Sequence, residues 1–558
     1  MDFGGHKMNN DDIGCQLIII GLDGATFNII QPLLNQNELP FFKKLMHEGS
    51  YGIINSNLPL NSASNWTSLF TGKNPGKHNI FDFLVYDNSS YQPKLITNQS
   101  LRSQLLWNIA NSNHLQTILM NVPVASQPEP LNGIMVSGML TPSDQRYAYP
   151  ETIANELEQQ NYIIDSGFAR NLKPEKYFEQ IMKTLLRQEK TFRQLIEKHP
   201  WKLAILTLNA LGKAQHAFWH EQDKIGALYI QLDRFLKNIF ESLDENTYFI
   251  VVSHHGFKSI NKKLFVNEWL WEIGLLHKNI TIHQTRLTDV YDLIFKDTPN
   301  DQHFITNFLA RTGITKDNIR SVLPVFIAEF LKRLVPWRVK KYFPEEYLEI
   351  VWDKTKAYFV STNVQGININ LKGREPKGIV EPGEEYEQLR DRIICELYRL
   401  KDPYTFENVI EEIYRKEDLF HGDYLNSAPD VIFIPRKYDY YLDPGKRTCR
   451  LFIGSAADDY PVHAYHDPKG IFFITGPDIK AGQRIPDIDI YDLIPTVLHL
   501  LGIPQTEDLD GQVMYRIFEE QMDFQYHYRP HFTPYETAFP IIPDDYFEKR
   551  FALGSSSL

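Results

Sequence analysis

The sequence predicts an α/β fold in which a central, mainly parallel sheet is flanked by helices. Between residues 15 and 275, short β-prone runs alternate with longer amphipathic stretches, a pattern typical of βαβ units. The predicted strands are 16–21, 116–121, 134–137, 203–208 and 248–253. The predicted helices are 27–35, 101–112, 174–198 and 224–243. In such sheets, ligand-binding groups collect beyond the carboxyl ends of the strands.

The remainder of the chain leaves this alternation and then returns to it. A helix-rich stretch predicts a cap insertion, and its segment SVLPVFIAEFLKRLVPWRVKKYF mixes apolar and basic residues. Ordinary packing explains this pattern best, with a membrane- or carrier-docking helix as the alternative. A small α+β subdomain follows, in which AYFVSTN and GININL are predicted to pair as strands. The core resumes with the strand IFFITG and the helix IYDLIPTVLHLLGI.

We therefore divide the chain into six units. They are a flexible N-terminal tail (1–14), the first part of the core (15–275), the helical cap (276–351), the α+β subdomain (352–440), the second part of the core (441–515) and a C-terminal extension (516–558).

Size, charge and cysteine content exclude several classes of protein. With 558 residues, 43% of them apolar, the chain is long and apolar enough for a large core. A net charge of −12 without a long basic run argues against nucleic acid, because phosphate binding needs clustered Lys and Arg. Three cysteines in no metal-binding spacing favour a reducing compartment. We see no signal peptide and no apolar run of membrane-spanning length, so we expect a cytoplasmic protein without a transmembrane segment.

Three short polar segments lie beside apolar runs that are predicted to be strands. Asp23 follows the run CQLIIIG. His254 and His255 follow YFIVVS, and His466 precedes IFFITG. A carboxylate and several imidazoles at strand ends suit a divalent cation such as Zn²⁺. Any one segment is equally well explained as a surface loop, but the three together favour a metal site.

The segment NSASNWTSLFTGKNPGKHNIFDF contains the candidate nucleophile, Ser62. Ser62 precedes a predicted helix, whose free N–H groups and positive dipole end suit a phosphate. A serine hydroxyl is a weak nucleophile at neutral pH, so it needs a base or a metal that lowers its pKa. Lys73 and Lys77 are close in sequence and add positive charge for a substrate. The alternative is that Ser62 only caps the helix, the commonest role of such a serine.

The order of several sequence blocks resembles that of the alkaline phosphatase superfamily. The blocks include LDGATF, TSLFTGKNPGKHNIFDF, HDPKGIFFITGPDIKAG and DLIPTVLHLLGIP, and the similarity runs from about residue 16 to 515. More narrowly, the chain resembles the branch of predicted phosphohydrolases and phosphomutases close to type I phosphodiesterases and nucleotide pyrophosphatases. The resemblance implies an alkaline phosphatase-like fold and a two-metal clamp around a Ser or Thr nucleophile.

Carried onto this sequence, the resemblance implies a nucleophile, a set of metal ligands and a substrate-binding group. Ser62 stands at the nucleophile position. The implied metal ligands are Asp23, Ser62, His216, His254, His255 and His466. The predicted substrate-binding residues are Asn65, Lys73 and Lys77.

Two positions depart from the family pattern. Gly212 and His254 each stand where the family has a metal-binding Asp. Near the nucleophile, Ser64 and Asn65 replace the more usual Pro and Ala. Two dications about 4 Å apart repel each other, and the missing carboxylates would offset that repulsion. We therefore expect Zn²⁺ as one ion or as two ions with reduced affinity at the second site, with Mn²⁺ or Mg²⁺ as alternatives.

The surviving ligands fall into two unequal groups. Asp23 and Ser62, together with His254 and His255, resemble a usable site for a single metal. The second group has only His216 and His466. Its completion would require His463, a water or the substrate.

These residues leave three functions open. The first is a metal-dependent phosphoester or phosphodiester hydrolase, or a phosphoryl transferase, that passes through a phosphorylated Ser62. Its substrate would be a small molecule or a carrier-linked phosphoester. The second is a catalytically degenerate pseudoenzyme that serves as a binding module, and the third pairs Ser62 with a free histidine in another reaction class. Retention of Ser62, Asp23 and three family histidines favours the first, whereas the loss of the carboxylate expected at Gly212 favours the other two. The sequence does not identify partner proteins.

Overall fold

A computed structural model confirms the predicted α/β fold. The structure describes residues 15–86, 90–91, 93–125, 127–141, 146–167, 172–260, 262–281, 347–445, 452–454 and 463–519. The predicted N-terminal tail, most of the predicted cap with its amphipathic segment, and most of the C-terminal extension lie outside these described residues.

The strands, numbered in chain order, are β1 (Gln16–Leu22), β2 (Ser50–Asn55), β3 (Leu84–Tyr86), β4 (Pro93–Leu95), β5 (Thr117–Met120), β6 (Gly133–Val136), β7 (Ala148–Tyr149), β8 (Leu203–Leu208), β9 (Thr247–Ser253), β10 (Gly256–Ser259), β11 (Lys262–Phe265), β12 (Lys278–Thr281), β13 (Tyr347–Ile350), β14 (Ala357–Phe359), β15 (Gly366–Ile369), β16 (Ile410–Arg415), β17 (Val431–Pro435), β18 (Tyr440–Asp443), β19 (Phe452–Gly454), β20 (Ala464–Asp467), β21 (Lys469–Thr475), β22 (Gln483–Arg484) and β23 (Ile488–Asp489).

The α-helices are α1 (Phe27–Asn35), α2 (Pro40–Glu48), α3 (Ser62–Thr71), α4 (Pro75–His78), α5 (Leu106–Ser112), α6 (Glu151–Gln159), α7 (Pro174–Lys198), α8 (Ala210–Phe218), α9 (Gln222–Phe240), α10 (Val266–Glu272), α11 (Glu384–Arg399), α12 (Lys416–Leu419) and α13 (Leu493–Leu500). The helix predicted over 101–112 begins only at Leu106, because the Asn108 side chain accepts a hydrogen bond from Leu105 N–H and caps it there. Among the described residues, no helix combines the length and the apolar character needed to cross a bilayer.

The central sheet is mixed but mostly parallel. Its strand order is β22-β2-β21-β9-β1-β8-β5-β6-β7, with β23 also paired to β2. The five neighbours β9, β1, β8, β5 and β6 all run parallel. Strand β21 is antiparallel to both β2 and β9, and β7 is antiparallel to β6.

Two apolar cores cover the two faces of this sheet. In β1, Ile18 and Ile20 pack into one core, while Leu17 and Ile19 pack into the other. Successive strand residues point to opposite faces, so a continuous apolar run is what a strand buried on both sides requires. The polar residues that follow β1 and β9 are therefore held at the edge of a rigid, buried element.

A second, smaller sheet packs around its own core. It has the order β14-β15-β17-β16, and α11 contributes buried residues to that core. Strands β14 and β15 pair antiparallel, as predicted from AYFVSTN and GININL. Strands β12 and β13 also pair antiparallel, so the chain segments on either side of residues 282–346 lie next to each other.

Candidate active site and metal centre

Two neighbouring parallel strands end at the same place and put Asp23 beside His254 and His255. Strands β1 and β9 are in register, with Gly21 opposite Val252. Oδ1 of Asp23 lies 3.7 Å from Nε2 of His254 and 3.6 Å from Nε2 of His255. The carboxyl ends of adjacent parallel strands share one edge of a sheet, which is why two distant segments meet here.

Ser62 is the first residue of α3 and directs its hydroxyl to the same point. Its Oγ lies 3.3 Å from Nε2 of His255, and its hydroxyl opposes the rise that burial causes in the pKa of Asp23. The residue that caps α3 is Asn61, whose Oδ1 accepts a hydrogen bond from Ser64 N–H at 2.9 Å. The alternative that Ser62 is only a helix cap is therefore wrong.

His466 and His216 extend the cluster. Strands β10 and β20 pair antiparallel, which sets His466 opposite Phe257. The ring of His466 stacks on that of His255, with centroids 3.9 Å apart, and lies 5.3 Å from that of His216. His466 is buried, whereas His216 on α8 is exposed. The structure thus brings together all the residues predicted to bind metal.

Backbone carbonyls hold two of the histidines in one tautomer. Nδ1 of His255 donates to the Gly256 carbonyl at 3.0 Å, and Nδ1 of His466 donates to the Leu60 carbonyl at 3.3 Å. A carbonyl only accepts hydrogen bonds, so Nδ1 carries the proton in both rings. Nε2 keeps its lone pair, which is the form of imidazole that binds a metal or accepts a proton.

Burial sets the protonation states of the cluster. It raises the pKa of the Asp23 carboxyl to about 7, while the nearby Lys213 opposes the rise. It lowers the pKa values of His254 and His255 well below the usual value for histidine. The site therefore offers neutral imidazoles, the state in which histidine binds a cation, and a carboxyl group that a cation would hold ionised.

Asp23, His254 and His255 fit a metal ion. One ligand atom from each residue lies within 4.8 Å of the others. Both ring nitrogens of His254 and Oδ1 of Asp23 are buried, and none has a hydrogen-bond partner in the described part of the chain. Buried polar atoms without partners are costly, and a bound cation would satisfy them. Two imidazoles and a carboxylate form a ligand set typical of zinc.

Gly212 borders the cluster without offering a side-chain ligand. It lies in α8, about one turn before His216. A Cβ placed on it would be 2.9 Å from Oδ2 of Asp23, so only a glycine lets that carboxylate approach the helix as closely as it does. The next residue, Lys213, is buried and ion-paired with Asp165. A fixed cation therefore stands close to the position where the family pattern has a carboxylate.

Asn65, which was predicted to bind substrate, is placed elsewhere. It is fully buried, and its side-chain amide bonds to the backbone of the loop before α3. Nδ2 donates to the Pro59 carbonyl at 3.0 Å, and Oδ1 accepts from Asn57 N–H at 3.0 Å. Asn65 thus holds the loop that leads to Ser62, and its amide is not directed at a substrate.

The structure also gives the two predicted lysines other partners. Lys73 forms an ion pair with Asp508, and Lys77 forms one with Asp510. Their ammonium groups therefore tie α4 and the turn between α3 and α4 to residues near the end of the core. His463, considered as an extra ligand, packs its ring against His220 with centroids 4.4 Å apart.

Several functional neighbours were missed from the sequence. Trp66 of α3 lies against His254, with ring centroids 4.3 Å apart. Lys213 and its partner Asp165 come from distant segments, so no local pattern relates them. Asn61 did carry a signal, since Asn is a preferred residue immediately before a helix.

The sequence matches the model of a known protein family. A family model for type I phosphodiesterase / nucleotide pyrophosphatase matches residues 17–314, more than half of the chain. The chain belongs to this family. It is thereby a phosphoester hydrolase. No curated relative matches the chain.

Solved structures share the fold at low sequence identity. Phosphonoacetate hydrolase from Sinorhizobium meliloti 1021 is 11% identical with a TM-score of 0.51, over 88% of this chain and 95% of that one. A variant of the alkaline phosphatase PafA is 13% identical with a TM-score of 0.50, over 90% and 98%. Murine ectonucleotide pyrophosphatase / phosphodiesterase 5 is 12% identical with a TM-score of 0.47, over 90% and 98%. At these identities the likeness concerns the fold alone.

Proposed function

We propose that the protein hydrolyses a small-molecule or carrier-linked phosphoester or phosphodiester, with Ser62 as nucleophile and a cation held by Asp23, His254 and His255. One observation carries this proposal. The Ser62 hydroxyl lies 3.3 Å from Nε2 of His255, and Oδ1 of Asp23 lies 3.6 Å from the same nitrogen. Beside them is a buried His254 that has no hydrogen-bond partner among the described residues. A serine hydroxyl becomes an effective nucleophile when a bound cation beside it lowers its pKa, and this arrangement would place one there.

Zinc is the proposed cation. Two imidazoles and one carboxylate favour Zn²⁺ over Mg²⁺, which prefers oxygen ligands. When bound, it would lower the pKa of the Ser62 hydroxyl and offset the charge that develops on the phosphoryl oxygens. His216 and His466 offer only two imidazoles because Gly212 has no side chain, so we propose that a second ion binds there more weakly.

In the proposed reaction, Oγ of Ser62 forms a bond to phosphorus while the bond from phosphorus to the leaving oxygen breaks. The Ser62 proton passes through solvent to that oxygen, which departs as an alcohol. A water then attacks the phosphorylated serine, the bond between Oγ and phosphorus breaks, and Ser62 regains a proton. The start of α3 lies at Ser62, where its free N–H groups and positive dipole end stabilise the phosphoryl charge.

The test compares chelated and zinc-reloaded protein on bis(p-nitrophenyl) phosphate and p-nitrophenyl phosphate. We expect chelation to abolish turnover and zinc to restore it. Ser62→Ala should lack turnover but keep the parent's thermal unfolding midpoint, because only a hydroxyl is lost. Ser64→Ala is the matched control, since the Ser64 hydroxyl lies on the same helix and has no hydrogen-bond partner within the described ranges. Full turnover by zinc-loaded Ser62→Ala would remove Ser62 from this role.

The contact between Ser62 and His255 also favours a second candidate, a metal-independent serine–histidine enzyme of another reaction class. Nε2 of His255 carries no proton, so it could take the Ser62 proton as a general base does. Its Nδ1, however, donates to the Gly256 carbonyl and not to a carboxylate. Turnover of a carboxylic ester that survives chelation, with no turnover of phosphate esters, would favour this second function.

A further inference from the structure

A turn of the smaller sheet reaches the candidate site. Residues 361–365, here named the 361–365 turn, lie between β14 and β15. The turn hydrogen-bonds to Leu60 and Asn61, the two residues before the nucleophile. It also bonds to Tyr465, the chain neighbour of His466. Both halves of the candidate site are therefore tied to one turn of a different sheet.

Gln365 holds Leu60, and Leu60 holds His466. Leu60 N–H donates to Oε1 of Gln365 at 3.0 Å, and the Leu60 carbonyl accepts from Nδ1 of His466 at 3.3 Å. Gln365 and Leu60 are both buried. Water is therefore a poor substitute for Oε1, and loss of that oxygen would leave the Leu60 N–H unsatisfied.

The backbone of Gln365 adopts a conformation that is unusual for its residue type. Its φ is +52°, in the left-handed region that residues other than glycine rarely adopt. Such strain persists where the surroundings over-determine it, and it concentrates at functional sites. Here the Gln365 carbonyl also accepts from Phe433 N–H of β17 at 3.0 Å. The strained residue thus joins the smaller sheet to the site loop.

Asn363 provides a second tie from the same turn. Its backbone carbonyl accepts from Nδ2 of Asn61 at 3.1 Å, and its Oδ1 accepts from the Tyr465 hydroxyl at 2.9 Å. The Tyr465 ring stacks on the His466 ring, with centroids 4.3 Å apart. Asn363 therefore contacts both the cap of the nucleophile helix and the residue that supports the His466 ring.

We infer that Gln365 is a positioning residue for His466. It holds Leu60 so that the Leu60 carbonyl keeps the His466 proton on Nδ1 and leaves Nε2 open to a cation. The inference rests on the proposed function, because it assigns His466 to the metal centre. Removal of a partner that orients a metal-binding histidine typically changes metal affinity or activity by about 10- to 100-fold. Through this side chain, the smaller sheet helps to position a histidine of the core.

The first test reads the His466 tautomer directly in the full chain. With ¹⁵N-labelled histidine, ring-nitrogen shifts separate protonated from unprotonated nitrogens, and His466→Gln assigns the signal. We expect only the Nδ1–H tautomer in the metal-free parent and both tautomers in Gln365→Met, which loses the acceptor but keeps the length. Gln365→Glu retains an oxygen and should restore the parent pattern. Unchanged His466 shifts in Gln365→Met would overturn the inference.

Zinc affinity gives an independent second readout. Calorimetric titration of Gln365→Met should show about 10- to 100-fold weaker binding of the second ion than in the parent, with kcat lowered and KM unchanged. Val364→Ala is the matched control, because it truncates a buried apolar side chain of the same turn and leaves the acceptor of the Leu60 N–H, Oε1 of Gln365, in place. It should keep the parent tautomer and affinity. If Gln365→Met binds the second zinc ion as tightly as the parent does, Gln365 is not a positioning residue for His466.

Two outcomes separate this inference from the proposed function. If the parent binds no zinc, the proposed function fails, and the tautomer comparison alone decides the role of Gln365. If Gln365→Met does not fold, Gln365→Asn gives the same test. Asparagine tolerates the left-handed backbone conformation, but its shorter side chain falls short of Leu60.

Discussion

At the scale of single residues, Gly212 is one of the two positions, with His254, at which the resemblance implies a carboxylate that this sequence lacks. A carboxylate there would lie about one helical turn before His216 and supply a ligand for the second ion. Its charge would also offset the repulsion between two cations. We therefore expect Gly212→Asp to raise the zinc stoichiometry or the affinity for the second ion, measured by calorimetry, and to raise phosphodiester turnover. The double change Gly212→Asp with His254→Asp should do so more strongly.

The structure also shows what this substitution costs. Gly212 lies inside α8, so an aspartate there needs no left-handed backbone. The new Cβ would come within 2.9 Å of Oδ2 of Asp23, so the Asp23 carboxylate must turn to make room. Gly212→Ala adds the same Cβ without a carboxylate and is the matched control. Equal zinc binding by the Ala and Asp variants would contradict the view that a ligand is missing at this position.

At the scale of elements, α3 has to begin at Ser62 for the nucleophile to meet His255. Asn61 fixes that start through its hydrogen bond to Ser64 N–H. We expect Asn61→Ala to lower the free energy of unfolding by about 1 to 2 kcal/mol through loss of the cap, and to lower kcat because Ser62 is less firmly held. Urea unfolding and steady-state kinetics on the same preparation check both.

Asn61 has two structural roles: its Oδ1 caps α3, and its Nδ2 bonds to backbone carbonyls. A second substitution at this position separates the two roles. Asn61→Ser keeps a capping oxygen without adding a charge but loses the Nδ2 bonds to the Phe81 and Asn363 carbonyls. It should retain more stability than Asn61→Ala. An Asn61→Ala variant as stable as the parent would show that the helix start is fixed by other contacts.

The elements that carry the site could be predicted because their signals are local. Strands β1 and β9 are continuous apolar runs that end in polar residues, as buried parallel strands do. That pattern alone located Asp23, His254 and His255 at strand ends. The bounds of the long helix α7 were also predictable from its amphipathic period.

The supporting contacts could not be predicted because they join segments that are far apart in the chain. Lys73 was expected at a substrate but pairs with Asp508 near the end of the core. Gln365 reaches Leu60 from a different sheet. A hydrogen bond of this kind depends on how two units pack, and no periodicity within either segment encodes it.

At the scale of the whole molecule, Glu189 of α7 makes stability depend on pH. Burial raises the pKa of Glu189 to about 8, far above the value of about 4.3 expected in the unfolded chain. Between those two values, the folded chain holds a proton that the unfolded chain has lost. The free energy of unfolding should therefore fall as pH rises from about 4 to about 8.

Glu189→Gln removes this titration and keeps an acceptor oxygen for Gln231, whose Nε2 donates to Glu189 Oε2 at 2.9 Å in the parent. The stability advantage of the variant over the parent should grow by roughly 2 to 5 kcal/mol as pH rises from about 4 to about 8. Glu179→Gln, at an exposed position of the same helix, is the control and should show no such gain. If the free energy of unfolding varies with pH in the same way in the parent and in Glu189→Gln, Glu189 is not the source of the pH dependence.

The central claim is that the chain holds a cation with Asp23, His254 and His255 directly beside Ser62. Calorimetric titration of the chelated full-length protein with Zn²⁺, run beside Asp23→Asn, tests it most directly. Asp23→Asn keeps the shape of the side chain but removes the anionic ligand. The account predicts tight binding of one or two ions by the parent and strongly weakened binding by the variant. A parent that binds no zinc, or a variant that binds it equally well, would contradict the account.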